Sequence, residues 1–123
     1  MTSDEFVLYD LRVVVESVGE QCTCNMRVGD SFEVRGGKLS LPDGQSFCLY
    51  ALQSAIPLLP AKQRPLQPAD WMTTDTRITC PDPACQLILR IDRVARRVLR
   101  HDDVSAVPLT PQSLTPPAHR SKS

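Results

Sequence analysis

The sequence predicts a small α+β domain: an antiparallel sheet of four to five strands with one main helix packed across it. Three observations predict it. Residues 6–18 alternate with the period of a strand, residues 47–59 carry a helical stripe, and short alternating runs return from residue 77 onward. The chain has 123 residues, of which 41% are hydrophobic and 23% charged, enough for one domain with a modest core and too few for two.

The elements follow in order. Tyr9, Leu11, Val13 and Val15 alternate with Asp10, Arg12, Val14 and Glu16, and Gly19 ends this first strand. Gln21 to Arg27 is a polar loop, closed by the turn Val28-Gly29-Asp30. Ser31 to Arg35 makes a second strand with Phe32 and Val34 on one face, and Gly36-Gly37 turns it into a third over Lys38 to Leu41. After the Pro42-Asp43-Gly44 turn the period changes. Cys48, Leu52, Ala55 and Leu59 fall on one helical stripe, Ser46 suits the N-cap, and Pro57 is expected to kink or end the helix near Ile56. A proline-rich connection then runs to Asp70, with Trp71 and Met72 expected to anchor it. Arg77 to Cys80 and Gln86 to Val94 are strands separated by Pro81-Asp82-Pro83, and Ala95 to His101 either extends the last strand or forms a short helix. The domain is expected over residues 4–104. Residues 105–123, rich in Pro, Ser and Thr without apolar period, are expected to be a disordered tail.

Charge narrows the function classes. With 14 basic and 14 acidic residues the formal net charge is zero, which argues against a nucleic-acid partner. No apolar run has the roughly 20 residues of a membrane helix, and the start, Met1-Thr2-Ser3-Asp4-Glu5, is acidic where a secretory signal is basic. A cytoplasmic protein is the expectation. Arg90, Arg93, Arg96, Arg97 and Arg100 crowd the last strand; they read first as a solvated strand face, and otherwise as a patch for an acidic partner. Asp30, Asp43, Asp70, Asp75 and Asp82 stand at turns, where Asp hydrogen-bonds its own backbone. There is no phosphate-binding glycine loop, and a Ser/His/Asp arrangement would need His101. Nothing in the sequence argues positively for an enzyme.

The cysteines are the strongest chemical signal. Cys22, Cys24, Cys48, Cys80 and Cys85 all fall at the ends of elements: the first loop, the start of the helix, and the two sides of a proline-stiffened turn. Their number is odd and the expected compartment is reducing, so a disulfide framework is disfavoured. If those ends meet, the thiolates suit zinc or an iron–sulfur centre. The spacing is not that of a Cys-x2-Cys knuckle, and no core histidine helps; His119 lies in the tail. The plainer alternative is that the thiols only pack as small apolar side chains.

Three segments together carry a resemblance: Cys22-Thr23-Cys24-Asn25-Met26-Arg27-Val28-Gly29-Asp30, Phe47-Cys48-Leu49-Tyr50-Ala51-Leu52 running to Pro57, and Ile78-Thr79-Cys80-Pro81-Asp82-Pro83. In order and spacing they resemble a family of short prokaryotic conserved hypothetical proteins. Its pattern is Cys-Pro-x-Gly-His-Lys-Val-Gly-Asp near the start, a Cys opening the central helix, and Val-x-Cys-Pro-Asp-Pro before the last strand. The family has no established activity. The resemblance singles out Cys22, Cys48 and Cys80. The family's His falls on Met26 and its Pro on Thr23. A site of three cysteines and one histidine would therefore be broken here, unless Cys24, or failing it Cys85, supplies the fourth ligand; otherwise the thiols only pack. A Met26 thioether would suit copper(I).

The sequence thus carries three readings: an accessory metal-binding domain with a zinc or iron–sulfur site, a protein-interaction module, and a thiol redox protein using Cys80 with Cys85 or Cys22 with Cys24.

Overall fold

The computed structural model describes residues 2–110. The elements are β1 (Glu5–Ser17), β2 (Ser31–Arg35), β3 (Lys38–Ser40), α1 (Leu49–Ala55), α2 (Leu59–Lys62), β4 (Arg77–Thr79), β5 (Ile88–Arg100) and α3 (His101–Val104). The strands form one antiparallel sheet in the order β3-β2-β1-β5-β4, and the helical run over residues 49–62 is the main helix. The predicted α+β class is the observed one.

β1 earns its place by its alternation. Leu11, Val13 and Val15 are fully buried, and β2 sets Val34 opposite Leu11 and Phe32 opposite Val13, so one face of the sheet is apolar. Leu89 and Ile91 of β5 extend that apolar core, and Ala51, Ala55 and Leu59 pack against it together with Leu87. Phe47, just before α1, meets Phe32 edge-on at 5.1 Å between ring centroids.

The helix departs from expectation at its start. Ser46 does not cap it; Cys48 holds the N-cap position. At the other end α1 stops at Ala55, beside Pro57, as expected, but the chain does not leave the helical path. A 3-10 turn over Ile56–Leu58 carries the chain into α2, because Pro57 and Pro60 both sit at first-turn positions, where a missing N–H leaves no bond unmade. The anchoring of the next stretch also differs. Trp71 is 66% exposed, and only Met72 is buried. Asp70 caps this 3-10 turn by accepting from the Met72 N–H at 2.9 Å, which points Met72 rather than Trp71 inward.

Asp10 lies on the other face of the sheet. Its carboxylate is buried and held by Arg97 at 2.8 Å and Arg35 at 3.5 Å. Glu16 on the same face joins Arg77 at 2.7 Å and Arg90 at 3.4 Å. Arg93 lies over the Tyr9 ring and donates to the carbonyls of Lys62 and Arg64 at the end of α2. These arginines of β5 thus fasten strands and helix rather than form only a solvated face.

By its contacts the chain divides into two units, Leu8–Arg97 and the two chain ends, up to Val7 and from Val98. In the second, β5 extends through Arg100 before α3 begins, the His101 N–H donates to the Asp4 carbonyl at 2.9 Å, and Arg100 pairs with Asp4 at 3.1 Å. The stretch 105–123 expected as a tail falls largely on residues 111–123, outside the described residues. No helix among the described residues is long and apolar enough to cross a membrane.

Candidate functional site

Three loops of the Leu8–Arg97 unit carry the cysteines. The loop after β1 is closed at its base by two bonds, Gly29 N–H to the Val15 carbonyl and Val15 N–H to the Asp30 carbonyl. It bears Cys22 and Cys24. The turn after β4 is closed where the Cys80 N–H donates to the Leu87 carbonyl at 3.0 Å. Inside it, Asp82 accepts from the Ala84 N–H, and the Cys85 N–H donates to the Asp82 carbonyl. Two prolines and these bonds fix the approach of Cys80 to Cys85. Cys48 comes from the third loop, at the head of α1.

Gly19 joins the first two loops. Its N–H donates to the Cys85 carbonyl, and its own carbonyl accepts from the Cys22 N–H. The approach is so close that a Cβ on Gly19 would lie 2.5 Å from the Cys85 oxygen and 2.7 Å from the Gln86 Cβ. The residue after each of two cysteines, Asn25 and Gln86, has a positive φ (56° and 54°), turning the backbone sharply behind the sulfur.

These devices bring the cysteines together. Cys24, Cys48, Cys80 and Cys85 line one cavity of about 440 Å³, with Tyr50 and Asp82 on its wall. Cys22 is not on the wall; its backbone N–H is tied to the Gly19 carbonyl beside Cys85. Four of the five predicted ligands therefore share one cavity wall, and all five are free thiols. The neighbouring Cys48 thiol, then desolvation and the Cys22 and Cys80 sulfurs, push the Cys24 thiol up to about 11. Cys48 moves the other way. Burial opposes its ionisation, but the Ala51 N–H, the Cys24 thiol and the Tyr50 N–H together hold it below the ordinary thiol value. Those N–H groups close no capping hydrogen bond, yet lie near enough to favour a thiolate. Burial, then the Cys22 thiol, push the Cys85 thiol up to about 12, against a pull from the Leu87 N–H.

Among the described residues no group of three or more His, Cys, Asp or Glu stands at metal-holding geometry. Met26 is buried in the core and is not on the cavity wall. His101 lies in the chain-end unit with its Nε2 against the Val107 carbonyl. Sequence reasoning missed Gly19, taken only as a strand end, and Tyr50. The signal for Gly19 was its place between a strand and Cys22-Thr23-Cys24, where a backbone must pass close to another.

Compared with protein-family models, curated proteins and solved structures, the chain matches none.

Proposed function

We propose that the protein is an accessory metal-binding domain whose cysteine thiolates hold one thiophilic ion, zinc in the simplest case. The observation that carries this reading is the meeting of Cys24, Cys48, Cys80 and Cys85 on one cavity wall. Four thiolates match the tetrahedral preference of zinc and leave no open position for catalysis, so the role is structural or regulatory. An iron–sulfur centre would draw on the same four sulfurs. Cys22 stands behind Cys85 as a spare thiol. The resemblance to the short prokaryotic family favours Cys22, Cys48 and Cys80 instead, and substitution separates the two ligand sets. A cytoplasmic setting belongs to the same proposal, because reducing conditions keep the thiols free.

The competing reading, an interaction module, is favoured by one observation: Cys80 and Cys85 belong to the buried apolar core, where thiols can simply pack. The test is elemental analysis and a visible spectrum on protein purified without oxygen and without a metal-affinity tag. About one zinc per chain is expected. Cys48→Ser and Cys80→Ser should abolish it, and Cys22→Ser should leave it. Brown protein containing iron and labile sulfide would move the centre to a cluster. Metal-free protein whose melting is indifferent to chelator would leave the interaction module.

A further inference from the structure

We infer that Cys24 and Cys48 form a thiol–disulfide exchange pair, closing an intrachain disulfide ahead of every other pairing among the five cysteines. The sequence spacing points to Cys22 with Cys24 or Cys80 with Cys85. The fold points elsewhere. Cys24 and Cys48 come from two different loops and line the same open cavity. Cys24 is exposed and Cys48 half-buried, so a reagent in solvent reaches the pair directly. Cys85 is buried in the core, and Cys80 is buried as well. Of the four cysteines on the cavity wall, Cys24 and Cys48 are therefore the two open to solvent.

The reaction partner is a disulfide, of a small thiol or of a protein. One thiolate of the pair attacks a sulfur of the incoming disulfide, forming a mixed disulfide and expelling one thiolate. The second cysteine gives its proton to that leaving thiolate and attacks its neighbour's sulfur, breaking the mixed disulfide. The second leaving thiolate takes a proton from solvent. Two electrons pass from the cysteine pair to the incoming disulfide, which leaves as two thiols. The exchange needs no metal. Where a metal fills the cavity, the exchange removes two of its four ligands.

The experiment uses the full chain, with and without strong chelator, exposed to oxidised glutathione, quenched in acid and mapped by fragment mass spectrometry. The Cys22→Ser form gives unambiguous assignment of Cys24. The first disulfide should link Cys24 to Cys48. Cys80→Ser should keep that link. Cys24→Ser and Cys48→Ser should each lose it and retain the remaining partner as a persistent glutathione adduct. A first disulfide between Cys22 and Cys24, Cys22 and Cys85, or Cys80 and Cys85 overturns the inference. So does a pair that stays reduced in the presence of chelator. Metal content is read on the same samples. Metal-free protein that closes Cys24 to Cys48 sinks the metal centre and keeps the exchange pair; metal-loaded protein that never closes it after chelation does the reverse.

Discussion

Gly19 and Cys85 are held backbone to backbone: the Gly19 N–H donates to the Cys85 carbonyl at 3.1 Å, at a point where no side chain fits between them. That contact ties the loop carrying Cys22 and Cys24 to the turn carrying Cys80 and Cys85. Gly19→Ala must therefore spread the two loops, since the obstructing atom is a carbonyl oxygen rather than a yielding side chain. A loss of about 1–3 kcal/mol in denaturant unfolding is expected, with weaker metal retention. Gly37→Ala is the control. Nothing lies within 4 Å of a Cβ there, and stability should be unchanged or raised by up to about 1 kcal/mol. Equal losses for the two variants would refute the close-approach account.

Metal uptake should release protons. Cys24 and Cys85, with thiols pushed up to about 11 and about 12, are protonated at neutral pH. A thiolate site that includes both must shed both protons as it fills. Calorimetric zinc titrations in buffers of different ionisation enthalpy should show at least those two protons leaving. Zinc affinity should drop by at least about a hundredfold for each pH unit of acidification. Uptake without proton release would exclude these two sulfurs as ligands.

Arg97 is the principal partner of buried Asp10, with Arg35 farther away and itself 67% exposed. Arg97→Ala leaves a buried carboxylate with one distant cation and should cost about 1.5–3 kcal/mol. Arg35→Ala should cost below about 1 kcal/mol. The ordering of the two unfolding midpoints is the check; a reversed order would mean that Arg35 carries Asp10.

Glu16 gives a pH signature. Its hydrogen bond from Arg77, and more weakly that from Arg90, hold its carboxyl below the usual glutamate range. A depressed folded value means that the stabilisation is present above the ordinary value of about 4.3 and fades as pH falls through the folded value. Wild type should therefore exceed Glu16→Gln in thermal stability at neutral pH. The two melting curves should converge in acid below that window, and a gap that persists there would rule out the ion pairing as its origin.

The strands and the helix were legible because burial imposes period. The buried set Leu11, Val13 and Val15 in β1 and the stripe through Ala55 and Leu59 are what one covered sheet face requires. The placement of cysteines at element ends was legible for the same reason. Their convergence was not. Cys24, Cys48, Cys80 and Cys85 come from segments distant along the chain. The placement of Cys80 and Cys85 beside the first loop depends on β5 standing between β1 and β4, and no local pattern encodes that. Trp71 shows a different failure. Size suggested burial, but the Asp70 cap set the phase of a short 3-10 turn and sent the ring outward. The arginines of β5 were read as a solvated face because their partners Asp10, Glu16 and Tyr9 lie on a strand at the far end of the sequence.

The strand order has a consequence for synthesis. β5 follows all five cysteines in the chain, yet it is the strand that joins β4 to β1. On the ribosome, Cys22, Cys24, Cys48, Cys80 and Cys85 emerge as an uncoordinated string, and the chain cannot gather them until β5 has left the exit tunnel. Until then Cys80 and Cys85 have no fixed place beside Cys24 and Cys48, and the four-cysteine pocket is a late event of folding.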